Sequence, residues 1–293
     1  DSLPTVTLDA ISGPITEAGG TATITATLSA ASGQTVMVTL SFTGTATLGS
    51  DYDVNTGVIV IAAGTLTGSA TIACVGDSVD EPGETVIVSI ASATHATPGG
   101  VSRTTTITDD DNVPALSITD VTVSENNAAT STVFDVSLSV SSGNTVTVNY
   151  ATSDGTATTG DSDYTATSGT LTFGPGEVTK TIAVTVNGDT KNEADERFYV
   201  TLSAPSNASI ADDQAVGLIL NDDALPTVTL GIAPASLPED GGGTATVTAE
   251  LSAASGQAVT VTLDFAGGAV LDTDYTVSAK QIVVAAGSLS GTI

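Results

Sequence analysis

The sequence is poor in positive charge and in the residues that most metal and catalytic sites use. It has five Lys plus Arg against 33 Asp plus Glu, one His, one Cys and no Trp. The formal net charge of -28 argues against nucleic acid as a partner, because phosphate binding needs basic side chains. It also disfavours docking on an anionic membrane. A single cysteine excludes an intramolecular disulfide, and the scarcity of His and Cys disfavours zinc, copper or iron.

A catalytic role is not expected from the residues present. His95 is the only histidine and lies in the polar segment ATHATPGG, and no G-x-S-x-G nucleophile motif occurs. Paired carboxylates hydrolyse glycosides in many enzymes, but this chain has no Trp to form a sugar platform. We therefore predict that the chain is not an enzyme.

The chain lacks long apolar runs but is not poor in apolar residues. No stretch approaches the ~18 consecutive apolar residues of a membrane span, so no span is predicted. The hydrophobic content of 40% predicts a folded chain despite the high charge. Little Lys and abundant Thr, Ser, Ala and Gly favour an extracellular or cell-surface protein.

Internal repeats organise the chain. Pro4, Pro114 and Pro226, in LPTVTL, VPALSI and LPTVTL, recur at intervals of 110 and 112 residues. The segment LSAASGQTVMVTLSF at 28–42 returns almost unchanged at 251–265. A unit of this length is a normal domain size. We predict repeat 1 at 1–112, repeat 2 at 113–224, and a partial repeat 3 at 225–293 that ends before its acidic loop.

The local pattern is β throughout. Val36, Val38 and Leu40 alternate with polar residues or Met, and similar alternation recurs along each repeat, which marks strands with one buried face. Gly, Ser, Asn and Asp clusters separate these runs. The fold class predicted is all-β, with tandem immunoglobulin-like sandwiches of about seven antiparallel strands. Cys74 aligns with Val186 and is expected to be a small buried hydrophobe.

Acidic residues recur in the same order in both full repeats, in loops rather than strands. The acidic loops GDSVDEPGE (76–84) and GDTKNEADE (188–196) share one Asp-x3-Glu-x2-Glu spacing. The candidate metal ligands are Glu17, Asp51, Asp77, Glu81, Glu84, Asp109, Asp110 and Asp111 in repeat 1, and Glu125, Asp163, Asp189, Glu193, Glu196, Asn221, Asp222 and Asp223 in repeat 2.

These acids are predicted to meet at one end of each sandwich, where alternate loops gather. So many carboxylates repel one another strongly without a cation. Calcium takes several hard oxygen ligands, whereas magnesium prefers few carboxylates and several waters. We predict several Ca²⁺ ions, clustered at the ends of repeats 1 and 2. The alternative is a solvated acidic surface without functional metal.

A glycine-led segment ending in Asp-Tyr occurs three times, as GTATLGSDY, GTATTGDSDY and GGAVLDTDY. Glycine allows a tight reversal of the chain. Asp51, Asp163 and Asp274 are expected to supply a metal carboxylate, and the tyrosines that follow them to anchor the loop by packing. The alternative is that the Asp-Tyr pair is only a turn signature.

Repeat 2 resembles a Calx-beta domain over essentially its whole length, through SEN (124–126), the segment 154–203 and LILNDD (218–223). Repeat 1 matches more loosely, through GSDY, DSVDEPGETVIVSI and ITDDD. The family includes regulatory domains of sodium–calcium exchangers and many bacterial surface proteins. The resemblance implies a seven-stranded immunoglobulin-like sandwich with Ca²⁺ sites in its distal loops.

The resemblance also places family ligands on the acids above and adds Glu239 as the counterpart of Glu17 and Glu125. The chain departs from the exchanger pattern at Gly76 and Gly188, where that loop has an acid. Asn221 also replaces an acid. Glu239 and Asp274 lack partners, because repeat 3 ends before its acidic loop.

The leading functional prediction is a calcium-binding structural or adhesive module of a repetitive extracellular protein. Ca²⁺ would order the distal loops and stiffen the joints between repeats. The alternatives are a calcium-sensing regulatory interaction module and a sandwich array without functional metal. The expected partners are neighbouring repeats and an adhesion target that the sequence does not identify. Intermolecular strand exchange through the partial repeat is a further hypothesis.

Overall fold

The computed structural model describes residues 2–293 as strands and connecting loops. Repeat 1 contains β1 (Thr5–Leu8), β2 (Ile15–Thr16), β3 (Thr21–Leu28), β4 (Val36–Gly44), β5 (Tyr52–Val54), β6 (Val58–Ile61), β7 (Thr67–Cys74), β8 (Glu84–Ala93), β9 (Thr97–Pro98) and β10 (Arg103–Thr108). Repeat 2 contains β11 (Ala115–Ile118), β12 (Val121–Ser124), β13 (Thr130–Leu138), β14 (Val146–Asp154), β15 (Ser168–Phe173), β16 (Thr179–Val186), β17 (Glu196–Ser206), β18 (Ser209–Ile210) and β19 (Gln214–Leu220). Repeat 3 contains β20 (Val228–Ala233), β21 (Thr246–Leu251), β22 (Val259–Thr262), β23 (Gln281–Val284) and β24 (Ser290–Thr292).

Each full repeat is built from two sheets. In repeat 1 the strand orders are β5-β7-β3-β1-β9 and β2-β10-β8-β4-β6. In repeat 2 they are β16-β13-β11-β18 and β12-β19-β17-β14-β15. This all-β architecture confirms the predicted fold class. Repeat 3 has the smaller sheets β20-β21-β24 and β22-β23.

The first two strands of each full repeat belong to different sheets. In repeat 1, β1 pairs with β3 in one sheet, whereas β2 pairs with β10 in the other. The pairings β1–β9 and β2–β10 are parallel, which differs from the antiparallel pairing expected throughout. The reason is that the first segment lies beside the last segments of the repeat and runs in the same direction. Repeat 2 repeats this arrangement with β11–β18 and β12–β19.

The alternating side chains form the cores. Val36, Val38 and Leu40 on β4 are buried, as the period of two predicts. Full burial of such a side chain contributes about 1.5–3 kcal/mol. Cys74 is buried as a free thiol at the end of β7, and its counterpart Val186 is buried at the end of β16, which confirms the expectation for this position.

Repeat 3 has a smaller core of buried Ala249, Leu251, Ile282 and Val284. Leu230 and Ile232 on β20 are exposed. Within residues 2–293 no helix has the length and apolar character to cross a bilayer.

Candidate metal centre

The predicted ligands of each full repeat come from four chain segments that converge at one end of the sandwich. In repeat 1, Glu17 follows β2, Asp51 precedes β5, the acidic loop connects β7 to β8, and the closing acids follow β10. The Glu17 amide donates to the Thr108 carbonyl at 3.0 Å, which continues the β2–β10 pairing. The sheet register therefore brings the first and last of these segments together.

In repeat 1 the acids form one continuous group. Carboxylate oxygens of Glu17, Asp109 and Asp111 lie within 4.8 Å of one another. Glu17 is only 7% exposed. A small cavity extends from this trio, and its acidic lining residues are Glu17, Asp51, Glu81, Glu84 and Asp109.

In repeat 2 the carboxylates that lie closest together are the counterparts of other acids than the trio of repeat 1. Oxygens of Asp163, Glu193 and Glu196, the counterparts of Asp51, Glu81 and Glu84, lie within 4.8 Å of one another. Glu125 beside them is 6% exposed. The Asp223 Oδ2 atom is buried and has no hydrogen-bond donor. A buried carboxylate oxygen without a donor is costly unless a cation lies near it.

The closing acids of repeat 1 also hold the neighbouring loops by hydrogen bonds. The Ala18 amide donates to Asp110 Oδ1 at 3.2 Å, and the Glu81 amide donates to Asp109 Oδ1 at 3.1 Å. These bonds fix the backbone next to the two predicted ligands Glu17 and Glu81.

Repeat 2 keeps both bonds although one acid is replaced. The Asn126 amide donates to Asp222 Oδ1 at 3.1 Å, and the Glu193 amide donates to Asn221 Oδ1 at 2.9 Å. Asn221 therefore supplies the same loop contact as Asp109 but without its negative charge.

The Asp of each Asp-Tyr pair closes its own loop. Asp51 Oδ2 accepts from the Thr47 amide at 2.5 Å and Asp163 Oδ2 from the Thr158 amide at 2.6 Å. Asp274 Oδ2 accepts from the Val270 amide at 2.7 Å. In repeats 1 and 2 the Asp can therefore both close its turn and act as a metal ligand, because its second carboxylate oxygen is not used by the turn.

The tyrosines that follow pack as expected. Tyr52 and Tyr164 are buried, and the Tyr164 ring stacks on Phe198 with centroids 4.6 Å apart. The Tyr164 hydroxyl also donates to Asp154 Oδ1 at 2.6 Å. The ring centroids of Tyr275 and Phe265 are 6.3 Å apart.

The crowding of carboxylates is reflected in their protonation. Burial raises the pKa of Glu84 to about 7, and the charge of Asp51 and a hydrogen bond to it add to the rise. Glu196 beside Asp163 behaves in the same way, with burial raising its pKa to about 7. Burial and the charge of Asp189 raise the pKa of Glu125 to about 7. At neutral pH these three carboxyl groups are therefore partly protonated, and a bound divalent cation would displace their protons.

Lys191 is part of the acidic cluster of repeat 2, which the sequence did not predict. Its Nζ lies 2.5 Å from Asp189 Oδ2 and 3.9 Å from Glu193 Oε1. Burial opposes ionisation of Asp189, but the hydrogen bonds and charge of Lys191 outweigh it and lower the pKa of that carboxyl. The corresponding residue of repeat 1 is Val79. The only sequence signal was a lysine inside an otherwise acidic loop.

The two glycines that depart from the exchanger pattern lie against the early loop. A Cβ atom added to Gly188 would lie 2.6 Å from the Glu125 carbonyl oxygen and would also collide with the Asn126 carbonyl. At Gly76 the nearest atom, the Glu17 carbonyl oxygen, would be 3.1 Å away. Repeat 2 therefore has no room for an acid at this position in its present backbone.

The predicted ligands of repeat 3 are not brought into such a group. Glu239 is exposed in the turn region before β21, and Asp274 is exposed beside its own loop. Among residues 2–293, the carboxylate trios lie in repeats 1 and 2.

Each acidic loop also contacts a turn of the next repeat, at residues 142–144 and 255–257. Repeat 1 has the same turn at residues 32–34, and all three are named here Ser-Gly turns. Ser142 Oγ donates to Asp80 Oδ2 at 2.7 Å, and the Gly143 amide donates to the Asp80 carbonyl at 2.8 Å. Asn144 Nδ2 donates to the same Asp80 oxygen at 3.0 Å. The sequence did not predict this contact.

The second joint uses the corresponding residues. The Gly256 amide and Ser255 Oγ donate to the Asn192 carbonyl at 3.1 and 3.3 Å. Asn192 Nδ2 donates to the Asp223 carbonyl at 2.8 Å. Asp80 and Asn192 each directly precede the first Glu of their acidic loop. The loop that carries the candidate ligands is therefore also the loop that contacts the next repeat.

The donor set fits a hard divalent cation. It consists of carboxylate oxygens, together with the side-chain amide oxygen of Asn221 in repeat 2. Calcium accepts six to eight oxygen ligands in flexible geometry. In repeat 1 the acids that line the cavity come from all four segments, and the buried Asp223 oxygen extends the same fit to repeat 2.

Comparison with known proteins identifies the repeats. The model of the Calx-beta domain matches residues 1–112 and 108–224. The apo-form Calx CBD1 domain is 29% identical, with 38% of this chain and 100% of that chain covered and a TM-score of 0.33. CBD12 from CALX1.2 is 18% identical, with 73% and 99% covered and a TM-score of 0.34. The calcium binding domain CBD12 of CALX1.1 is 18% identical, with 70% and 96% covered and a TM-score of 0.32.

No curated protein matches the chain. Because the family match extends over residues 1–224, the chain belongs to the Calx-beta domain family.

Proposed function

We propose that the chain is a calcium-binding structural or adhesive array of an extracellular protein, in which Ca²⁺ orders the distal loops and stiffens the joints between repeats. The observation that carries this proposal is the convergence of acids from four segments at one end of repeats 1 and 2. Lys191 is the single basic side chain paired with these acids in the described part of the chain. A divalent cation would remove most of the remaining repulsion.

The proposed ligands are those of the two full repeats. We propose more than one ion for each cluster, because neighbouring calcium ions can share bridging carboxylates. We propose no ion for repeat 3, since Glu239 and Asp274 are exposed and belong to neither trio. The extracellular location is supported by the acidic, lysine-poor composition.

Stiffening of the joints is supported by the position of Asp80. It lies between the two repeats and is adjacent to Glu81, which lines the acidic cavity. An ion that orders the acidic loop would also fix Asp80 against Ser142. The same argument applies to Asn192 and Ser255 in the second joint.

The proposal includes no catalytic role. His95 is exposed, and its Nδ1 lies 2.9 Å from the Thr35 carbonyl, where it supports a loop.

Calorimetric titration of the chelator-treated chain with Ca²⁺ and Mg²⁺ tests the proposal. The variants Glu84→Gln and Glu196→Gln each remove one crowded carboxylate, and Glu239→Gln is the control outside the clusters. We expect saturable Ca²⁺ binding, weaker Mg²⁺ binding, and loss of one set of sites in each cluster variant. Absence of Ca²⁺ binding, or equal losses in all three variants, would leave a sandwich array without functional metal.

A further inference from the structure

The Ser-Gly turn occurs once in each repeat, and all three copies have the same internal geometry. The amide two residues after each serine donates to its Oγ atom, at 3.1 Å for Ser32, 3.0 Å for Ser142 and 3.1 Å for Ser255. The turns of repeats 2 and 3 each receive the acidic loop of the preceding repeat. In the described residues the turn of repeat 1 receives no other repeat.

The serines reflect this difference. Ser142 and Ser255 are each 2% exposed, because the acidic loops cover them. Ser32 is only partly buried, although its turn has the sequence Ser-Gly-Gln found in repeat 3.

The glycines show the same difference more sharply. A Cβ atom added to Gly143 would lie 3.0 Å from Glu81 Cγ, and one added to Gly256 would lie 2.5 Å from Glu193 Cγ. A Cβ atom added to Gly33 would have no neighbour within 4 Å. A side chain at Gly143 or Gly256 would therefore have to displace a glutamate of the docked acidic loop, whereas Gly33 occupies the same position over open space.

The residue that supports the Ser-Gly turn at 32–34 also has the same backbone conformation and the same kind of contact as its counterpart in repeat 2. His95 has a positive φ of 55°, and its Nδ1 lies 2.9 Å from the Thr35 carbonyl. Asn207 has a φ of 56° and donates from Nδ2 to the Thr145 carbonyl at 2.9 Å. His95 borders a surface cavity of about 310 Å³ that is also lined by Pro4 and Ser32.

We propose that the Ser-Gly turn at 32–34 is a docking surface for the acidic loop of a further Calx-beta repeat joined in tandem ahead of residue 1. Ser32 Oγ and the Gly33 amide would donate to the Asp or Asn that precedes the first Glu of that loop. Both acidic loops of residues 2–293 are already engaged by the next repeat. The occupant is therefore a repeat outside this range rather than a second copy of the chain. These hydrogen bonds do not require that calcium binds.

The test adds such a repeat to the full chain. Residues 1–110 are fused directly ahead of Asp1, so that Asp1 takes the place of Asp111 three residues before the proline. Hydrogen exchange is measured at the Gly33 amide in the fused and unfused chains. The strands of the added repeat report in the same experiment whether it is folded. A second fusion with residues 113–222 repeats the test with the other acidic loop.

We expect exchange at Gly33 to slow by about tenfold or more on fusion, equivalent to ~1.4 kcal/mol of added protection. Gly33→Val should abolish the protection in the fused chain and leave the melting of the unfused chain unchanged. Equal exchange at Gly33 with and without a folded added repeat would overturn the proposal. Dimerisation of the unfused chain that Gly33→Val abolishes would also overturn it, because the occupant would then be a second copy.

Discussion

At the scale of single residues, the two acidic clusters differ most at Lys191. Its ammonium group lies against Asp189 and Glu193, which are both proposed ligands. A tethered positive charge at this place competes with a bound cation. The two full repeats are therefore expected to bind calcium with different affinities, repeat 1 more tightly.

The substitution Lys191→Val introduces the residue that repeat 1 has at this position. We expect it to raise the calcium affinity of repeat 2 by on the order of tenfold, equivalent to ~1.4 kcal/mol. Calorimetry on the full chain measures the change. The reciprocal variant Val79→Lys should weaken repeat 1. An unchanged calcium affinity in both variants would show that the lysine ammonium group moves out of the site without a free-energy cost when calcium binds.

The raised pKa values of Glu84, Glu125 and Glu196 predict the pH dependence of the calcium-free chain. Each has an ordinary value of 4.5 and a folded value of about 7. Between these values the folded state holds protons that the unfolded state has lost, so stability declines as pH rises through this window.

Thermal unfolding in chelator should therefore occur at progressively lower temperature between pH 5 and about pH 7.5. Calcium should remove this decline, because it binds the deprotonated carboxylates. A flat or rising dependence in chelator would contradict the crowding of these three groups.

At the scale of loops and strands, the sequence predicted much of the site because its signals are local. The Asp-x3-Glu-x2-Glu spacing identified the acidic loops, and the period of two identified strands such as β4. The parallel pairing of β2 with β10 was not predicted, since it joins residues that are far apart in the sequence, such as Ile15 and Ile107. It also requires that the first segment of the repeat leaves one sheet after β1 and enters the other at β2. The contact of Asp80 with Ser142 was missed for the same reason, because it joins two separate repeats.

The early loop explains why the acidic loop begins with glycine. A side chain at Gly188 would meet the backbone carbonyls of Glu125 and Asn126, whereas Gly76 has slightly more room. We expect Gly188→Asp to lower the stability of repeat 2 by about 1–3 kcal/mol through overpacking, without adding a ligand. Gly76→Asp is the matched variant and should cost less.

Chemical unfolding of the two glycine variants, together with calcium titration, measures both effects. A stable Gly188→Asp variant that binds an additional ion would show that the loop rearranges to accept the acid.

At the scale of the whole molecule, calcium binding is expected to affect the geometry of the array. Acidic loops at both joints contact the next repeat, and repulsion within them is expected to loosen those contacts when calcium is removed. Small-angle scattering should show a narrower distribution of shapes in Ca²⁺ than in chelator. Ser142→Ala should broaden the distribution in Ca²⁺, because it removes the donor to Asp80. Ser32→Ala is the control at the equivalent turn.

Identical distributions in both buffers would show that calcium binding does not stiffen the joints between repeats. A broadened distribution for Ser32→Ala as well would assign the effect to the turn itself rather than to the joint.

Whether the acidic clusters bind calcium can be decided by thermal unfolding of the chain in chelator, in Ca²⁺ and in Mg²⁺ at matched ionic strength. A ligand that binds only the folded state adds about 2.7 kcal/mol at a hundredfold excess over its dissociation constant. We expect a large upward shift of the melting temperature in Ca²⁺ and a much smaller one in Mg²⁺. Coincident unfolding curves in all three buffers would contradict the claim that the acidic clusters are calcium sites.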